Sequence, residues 1–214
     1  SDGNVIKEFL PDQVWDITSP EIIEEVWEKN VAKVNSRDPF SEVKSNQNKK
    51  ILALYPFLEK MVNDAADPLK LAVKLSILGN SMDFMVADSS LAIEKSITAK
   101  AKLPLADESF FKFRQQLERT RHLLIFADNA GEIVFDRLLI EQLPREKMTV
   151  AVRGAPVIND ATMADAETAG LTDLVKVIDN GSDAPGTILE DCSELFRRCF
   201  ADADLIIAKG QGNF

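Results

Sequence analysis

The chain has 214 residues with 35 acidic and 25 basic side chains, a formal net charge of −10, 45% hydrophobic and 28% charged residues. That is enough for one sizeable core or a small domain beside a larger one, and ordinary for a folded globular chain. The acidity excludes the basic footprint of non-specific nucleic-acid binding, yet local cations could still hold a small anion; no apolar run reaches the ~20 residues of a membrane span and no basic, apolar leader opens the chain, so neither nucleic acid nor membrane is an expected partner.

In chain order, residues 1–117 read as a helical domain. Ser19-Pro20-Glu21 resembles a helix start, with a proline at the first helical position and an acidic first turn. Ile22, Ile23, Val26 and Trp27 follow at helical spacing. The stretch from about Asn48 to Asn63 predicts another helix through Ile51, Leu54, Tyr55 and Leu58. Pro68 opens a third through Leu71, Leu75 and Leu78, and Phe110, Phe113 and Leu117 suit a further one. Within this half, Asn80 and Asp83 share a helix face by their i, i+3 spacing. Two readings stand: Gly79-Asn80 ends one helix and Asp83 caps the next, or this face roofs a functional site and contacts substrate.

Residues 118–214 change rhythm. Leu123–Ala127, Met148–Val152, Leu174–Ile178 and Asp204–Ala208 are short apolar or β-branched runs, and the first three are followed by a turn and a helical segment. Such alternation predicts an α/β fold, a Rossmann-like doubly wound parallel sheet with the helical domain packed on it. The last run ends in Lys209-Gly-Gln-Gly-Asn-Phe214, where a doubly wound fold ordinarily enters a helix, so the sequence reads as a C-terminally truncated fragment. Cys192 and Cys199 are expected on one helix face and unbridged. Two thiols without a disulfide framework point to a reducing, cytoplasmic setting.

The single histidine, His122, precedes an apolar strand. This excludes a histidine-rich zinc site, and no G-x-S-x-G elbow, Walker A loop or complete G-x-G-x-x-G fingerprint is present. Chemistry is expected at the carboxyl ends of the strands. There stand Asp128-Asn129-Ala130-Gly131-Glu132, Arg153-Gly154 with Asn159-Asp160, Asp179-Asn180-Gly181-Ser182-Asp183, and Lys209-Gly210. Asp128, Asn129 and Asp160 offer oxygen ligands to a hard divalent cation, while Arg153 and Lys209 suit a phosphate. Taken singly, Asp128-Asn129 and Asn159-Asp160 are also plausible helix caps.

The motifs Asp128-Asn-Ala-Gly-Glu132, Arg153-Gly-Ala-Pro-Val-Ile-Asn-Asp-Ala-Thr162, Asn180-Gly-Ser-Asp-Ala-Pro-Gly-Thr187 and Lys209-Gly-Gln-Gly-Asn-Phe214, with Gly79-Asn-Ser-Met-Asp83, resemble the damage-control phosphatase family, also known as domain of unknown function 89, in its prokaryotic stand-alone branch. The resemblance implies hydrolysis of small phosphate monoesters, such as sugar phosphates or damaged phosphometabolites, with Mn²⁺, Mg²⁺, Co²⁺ or Ni²⁺. It implies metal ligation by Asp128, Asn129 and Asp160, and a phosphate contact for Lys209. Asp128 and Lys209 are the expected catalytic residues, with Asp128 either the nucleophile or only a metal ligand while water attacks. Asn80, Asp83, Arg153, Gly181, Ser182 and Lys209 are the corresponding substrate-contact candidates. The cysteine pair that often opens that branch is missing. Two other classes fit the same fold: an S-adenosylmethionine-dependent carboxyl methyltransferase and a non-catalytic metabolite-binding protein.

Overall fold

The computed structural model describes residues 38–81, 90–210 and 213; the expected helix after Ser19 lies outside them. Five helices come first: α1 (Ser41–Leu52), α2 (Tyr55–Asn63), α3 (Pro68–Ser81), α4 (Ser90–Ala101) and α5 (Asp107–Arg119). Then follow β1 (Leu123–Phe126), α6 (Glu132–Glu141), β2 (Met148–Val152), α7 (Met163–Thr168), β3 (Lys176–Asp179), α8 (Glu194–Asp202) and β4 (Leu205–Ala208).

Two expected elements differ. The helix expected from Asn48 to Asn63 is broken into α1 and α2, because Pro56 has no N–H to donate and in a continuous helix its ring would collide with the carbonyl four residues back; it sits instead in the first turn of α2, where neither matters. The third strand starts two residues later than its apolar run, since Leu174 and Val175 both hydrogen-bond back to the Leu171 carbonyl in a turn.

The four strands run parallel in the order β3-β2-β1-β4. The chain moves outward from β1 to β2 and β3, then returns to the other side of β1, so the switch point that hosts ligands in open α/β sheets lies between β1 and β4. Side chains alternate between the two faces. Leu123, Ile125, Met148, Val150, Val152 and Leu205 join the larger core under α6 and α7. Leu124, Phe126, Ala151 and Ile178 pack instead with Cys192 and Phe196 under α8.

Helix α6 shows why the helical half sits where it does. Eight of its ten residues are buried, which is the signature of a helix covered on all sides. One side lies on the sheet and the other receives α1, α2 and α3, with α4 packed on α3; their Ile51, Leu58, Leu75 and Ile93 belong to the same core. Gly79 lies within α3 and does not end it; a Cβ there would stand 3.2 Å from Glu132 and Phe135, so the glycine lets α3 approach α6. On the opposite face Phe126 packs against Phe196 and Phe200 at centroid distances of 5.3 and 6.2 Å. Truncating Phe196 to alanine would cost about 3–5 kcal/mol. Cys192 precedes α8 rather than lying on it, and both cysteines are free thiols. Among the described residues no helix is long and apolar enough to cross a membrane.

Candidate active site

Strands β1 and β4 deliver Asp128 and Lys209 to the same edge, at the switch point. His122 precedes β1 at the opposite end of the sheet, where its N–H bonds Asp204. The loop after β1 is locked to the loop after β2 by backbone pairing. Ala130 N–H donates to the Asn159 carbonyl at 2.8 Å and Ala161 N–H to the Asp128 carbonyl at 2.7 Å, making Asn129 and Asp160 bridge partners. Thus the three expected ligand residues, Asp128, Asn129 and Asp160, converge on one pair of loops.

Neither carboxylate acts as a helix cap. Helix α6 starts after Gly131 with no side-chain cap. Helix α7 is capped by Thr162 in a reciprocal box with Asp165. The turn that presents Asp160 closes through its N–H to the Val157 carbonyl at 2.9 Å and holds Ile158 at a φ of 45°, a conformation costly for a β-branched residue.

The immediate contacts are specific. Asp128 Oδ2 accepts from Asn80 Nδ2 at 2.8 Å and from Asn129 Nδ2 at 2.7 Å. Asn80 also approaches Glu132. The helical layer therefore reaches Asp128 through Asn80, and α3 runs on through Gly79-Asn80 to Ser81, contrary to a C-cap at that pair. Asp83 lies outside the described residues. Asp160 Oδ2 accepts from Arg153 Nε at 2.7 Å. The other side of that guanidinium donates to the Gly186 carbonyl, so Arg153 links the loop after β2 to the loop after β3.

Lys209 is buried between two carboxylates of α6. It pairs with Glu132 and lies 2.5 Å from Asp136, and Asp136 accepts in turn from Ser76 of α3 at 2.8 Å. Asp136 Oδ2 is buried with no hydrogen-bond partner among the described residues. Gly210, with a φ of 80°, leaves room for Asp128, because a Cβ there would sit 2.1 Å from its carboxyl carbon.

At the far end of the sheet, Asn180 Oδ1 accepts from the N–H groups of Gly154 and Ser182 at 2.8 and 3.1 Å. Ser182 is buried and its hydroxyl accepts from Ala184 N–H. Gly181 has a φ of 76°, and a Cβ there would stand 2.7 Å from that of Ser193. These candidate substrate contacts thus shape the turn after β3, and they do not reach the Asp128 cluster through any direct hydrogen bond among the described residues.

Electrostatics identify where charge is concentrated. Burial pushes the Asp128 carboxyl up to about 7, with further upward pressure from Glu132 and Asp160. Burial also raises Glu132 and Asp160, against the lowering influence of Lys209 and of Arg153 respectively. The Lys209 ammonium rises above its ordinary value because Asp136 and Glu132 outweigh its burial. Three crowded carboxyls raised chiefly by burial form a site in which an added positive charge would be favoured. The donors fit a hard cation in chemistry, with two carboxylates and an amide. Among the described residues no three His, Cys, Asp or Glu side chains cluster in metal-holding fashion; the Asn129 amide is the further oxygen donor that the loops after β1 and β2 offer.

Sequence reasoning did not select Glu132, Asp136, Ser76 or Asn48 as site residues. For the first two a signal exists: acidic residues at i, i+4 in an otherwise apolar, buried helix need partners.

The model of the damage-control phosphatase ARMT1-like domain matches residues 11–214. The chain is 38% identical over 186 residues to an uncharacterized protein of Methanocaldococcus jannaschii, covering 84% of this chain and 61% of that protein. It is 36% identical over 188 residues to a damage-control phosphatase of Pyrococcus horikoshii, covering 83% and 62%, and 33% identical over 182 residues to a damage-control phosphatase of Archaeoglobus fulgidus, covering 83% and 63%. The chain spans less than two thirds of the length of these relatives. In structure it is similar to the crystal structure of a DUF89 family protein from Pyrococcus horikoshii, with a TM-score of 0.80, 34% identity, and coverage of 89% of this chain and 67% of that one. With the matched model, the relatives and the sheet topology in agreement, the chain belongs to the damage-control phosphatase ARMT1-like domain family.

Proposed function

We propose that this chain carries the catalytic site of a metal-dependent phosphatase acting on small phosphate monoesters, sugar phosphates or damaged phosphometabolites among them. The observation that carries the reading is the meeting of Asp128, Asn129 and Asp160 beside Lys209 at the β1–β4 switch point. Asp128, Asn129 and Asp160 would hold the cation, Mn²⁺, Mg²⁺, Co²⁺ or Ni²⁺. When bound, it would polarise a phosphoryl oxygen and lower the pKa of a bound water.

The chain's own residues have distinct tasks in this reading. Arg153 fixes the Asp160 carboxylate from behind, and Asn80 and Asn129 fix that of Asp128. Both are thereby oriented before substrate arrives. Phosphoryl transfer spreads negative charge over the equatorial oxygens. Lys209, kept protonated by Glu132 and Asp136, supplies a fixed positive charge against that build-up. The relatives named damage-control phosphatases support the phosphate monoester as substrate class. The doubly wound sheet alone would suit a methyl donor equally well, but that chemistry has no use for clustered carboxylates facing a lysine. The two free thiols support a reducing, cytoplasmic setting.

The test is phosphate release from a panel of sugar phosphates, with EDTA and after adding back each metal. EDTA should abolish release, and Mn²⁺, Co²⁺, Ni²⁺ or Mg²⁺ should restore it. Full activity in a verified metal-free preparation overturns the metal role. A preparation that binds Mn²⁺ in calorimetry yet releases no phosphate with any of these metals overturns the phosphatase reading in favour of metabolite binding.

A further inference from the structure

The two loops that bring Asp128 and Asp160 together are backed by a single amide from the helical layer. Asn48 lies on α1 and is 1% exposed. Its Oδ1 accepts the Gly131 N–H at 2.6 Å, immediately before α6. Its Nδ2 donates to Asp165 Oδ1 at 2.8 Å, in the first turn of α7. Gly131 follows the loop of Asp128 and Asn129; Asp165 follows the loop of Asp160. The Asp165 carboxylate cannot swing away, because its Oδ2 already accepts from the Thr162 N–H and hydroxyl at 2.9 and 2.8 Å.

The result is a closed ring. The loops pair with each other at the front through backbone bonds, and the helices that follow them are tied at the back through Asn48. Asparagine is suited to this because one short side chain carries an acceptor and a donor. Lys44, one turn earlier and 3% exposed, pairs with Asp38 at 2.7 Å and lies 3.6 Å from Asp165, which offsets the buried charge. Close packing of α1 against Gly131, where a Cβ would meet that of Gln47 at 3.2 Å, keeps the amide in reach.

We propose that Asn48 is a positioning residue, setting the separation of the loops that carry Asp128 and Asp160 and thereby the affinity of their cation site. It touches neither substrate nor ligand atoms. The inference rests on the metal reading above and extends it to a residue on the other layer of the molecule.

The test is Mn²⁺ calorimetry beside thermal melts for the parent, Asn48→Ala, Asn48→Asp, and Asn48→Asp combined with Asp165→Asn. Residues orienting a ligand shell commonly contribute about 10–100-fold in metal affinity; Asn48→Ala and Asn48→Asp should each weaken Mn²⁺ by at least about tenfold, measured where melts show the protein folded. The double variant has the parent's net charge and exchanges donor for acceptor, so the carboxylate at position 48 accepts both from Gly131 and from the new amide at 165. It should return Mn²⁺ affinity to within about threefold of the parent, well inside the effect of losing an orienting partner. A structural role alone would lower the melting temperature of the single variants and leave their Mn²⁺ affinity unchanged, which overturns the proposal. So does a double variant that binds no better than the singles. A parent that binds no Mn²⁺ removes the metal reading itself and the inference with it, whereas a binding parent with unaffected single variants removes the inference alone.

Discussion

Lys209, after β4, and Arg153, after β2, occupy matching places at the edge of one sheet, and both are buried against carboxylates. Their surroundings differ. Arg153 divides its fork between Asp160 and the backbone carbonyl of Gly186, joining two loops. Lys209 faces Glu132 and Asp136, and Asp136 keeps one buried oxygen without a hydrogen-bond partner among the described residues. A planar guanidinium satisfied by a carbonyl and a carboxylate is a bracket; a compact ammonium among more negative charge than it neutralises can still serve an arriving phosphate. The difference leads us to expect chemistry at the β1–β4 end of the sheet edge, and a scaffold role for Arg153 and the turn after β3.

The largest effect expected from that contrast is at Lys209. Lys209→Ala should lower turnover by about 10²-fold or more, the loss typical of one charge-stabilising donor. Metal binding should persist. Lys209→Arg should rescue poorly, since a planar fork cannot replace a compact charge between Glu132 and Asp136. Removal also leaves two buried carboxylates without their cation, so the melting temperature will fall and kinetics belong at temperatures where the variant is folded. Turnover within about threefold of the parent, under 1 kcal/mol of barrier, would take Lys209 off the chemical end and make both cations brackets.

Asp160 lies where the two ends meet, since it belongs to the proposed ligand set and also holds Arg153. Asp160→Ala should reduce Mn²⁺ affinity by more than the roughly 10–100-fold expected for an orienting partner, and should also destabilise the fold by orphaning Arg153. Asp160→Asn separates the two: the amide oxygen still accepts from Arg153, so the melting temperature stays near the parent's while affinity falls. Calorimetry and melts on both variants decide it; a large stability loss with unchanged affinity in both would assign Asp160 wholly to the scaffold.

A matched pair of glycines sharpens the contrast further. Gly210→Ala would drive a Cβ to 2.1 Å from the Asp128 carboxyl carbon, so the side chain must move. Affinity for Mn²⁺ should fall about 10–100-fold. Gly154→Ala would instead strike the Gly181 backbone at 2.6 Å. It should lower the melting temperature with much less change in affinity. Equal effects of the two substitutions on metal binding would mean that the ends are not functionally distinct.

How far the sequence led is clearest at these same places. Four apolar runs separated by turns placed the sheet, and the rule that ligands lie beyond the carboxyl ends placed Asp128, Asn129, Asp160 and Lys209 together. Local signals could not resolve what Gly79 does. A glycine followed by asparagine reads as a helix end, yet α3 continues to Ser81 because the missing Cβ is needed against Glu132 and Phe135, a contact made only once two helices pack. The break at Pro56 was readable and outweighs the apolar periodicity on either side of it. Asn48 could not be found locally, since its partner Asp165 is 117 residues away. The carboxylates of α6 could have been found from their placement in an apolar helix, whereas their partner Lys209 depends on the crossover that brings β4 beside β1.

The smallest effect concerns Ser182, which the family motif offers as a substrate contact and which is buried in the turn after β3. Its side chain is buried, and its hydroxyl accepts the Ala184 N–H at 3.1 Å. That bond, with the Asn180 side chain holding the Ser182 and Gly154 N–H groups, builds the turn after β3. Ser182→Ala removes one hydrogen bond and leaves a buried N–H unpaired, which costs about 1–3 kcal/mol of stability. If the turn is scaffold alone, KM and turnover should stay within about twofold of the parent, a difference of under 0.5 kcal/mol. A substrate contact behaves otherwise: KM would rise severalfold while the melt moves little, because the lost partner is then the phosphate ester rather than Ala184. Steady-state kinetics on a cleaved sugar phosphate, beside the melt of the same preparation, separate the two. A rise in KM would extend the chemical end across the sheet edge to β3 and reduce the scaffold to Arg153 and Asn180.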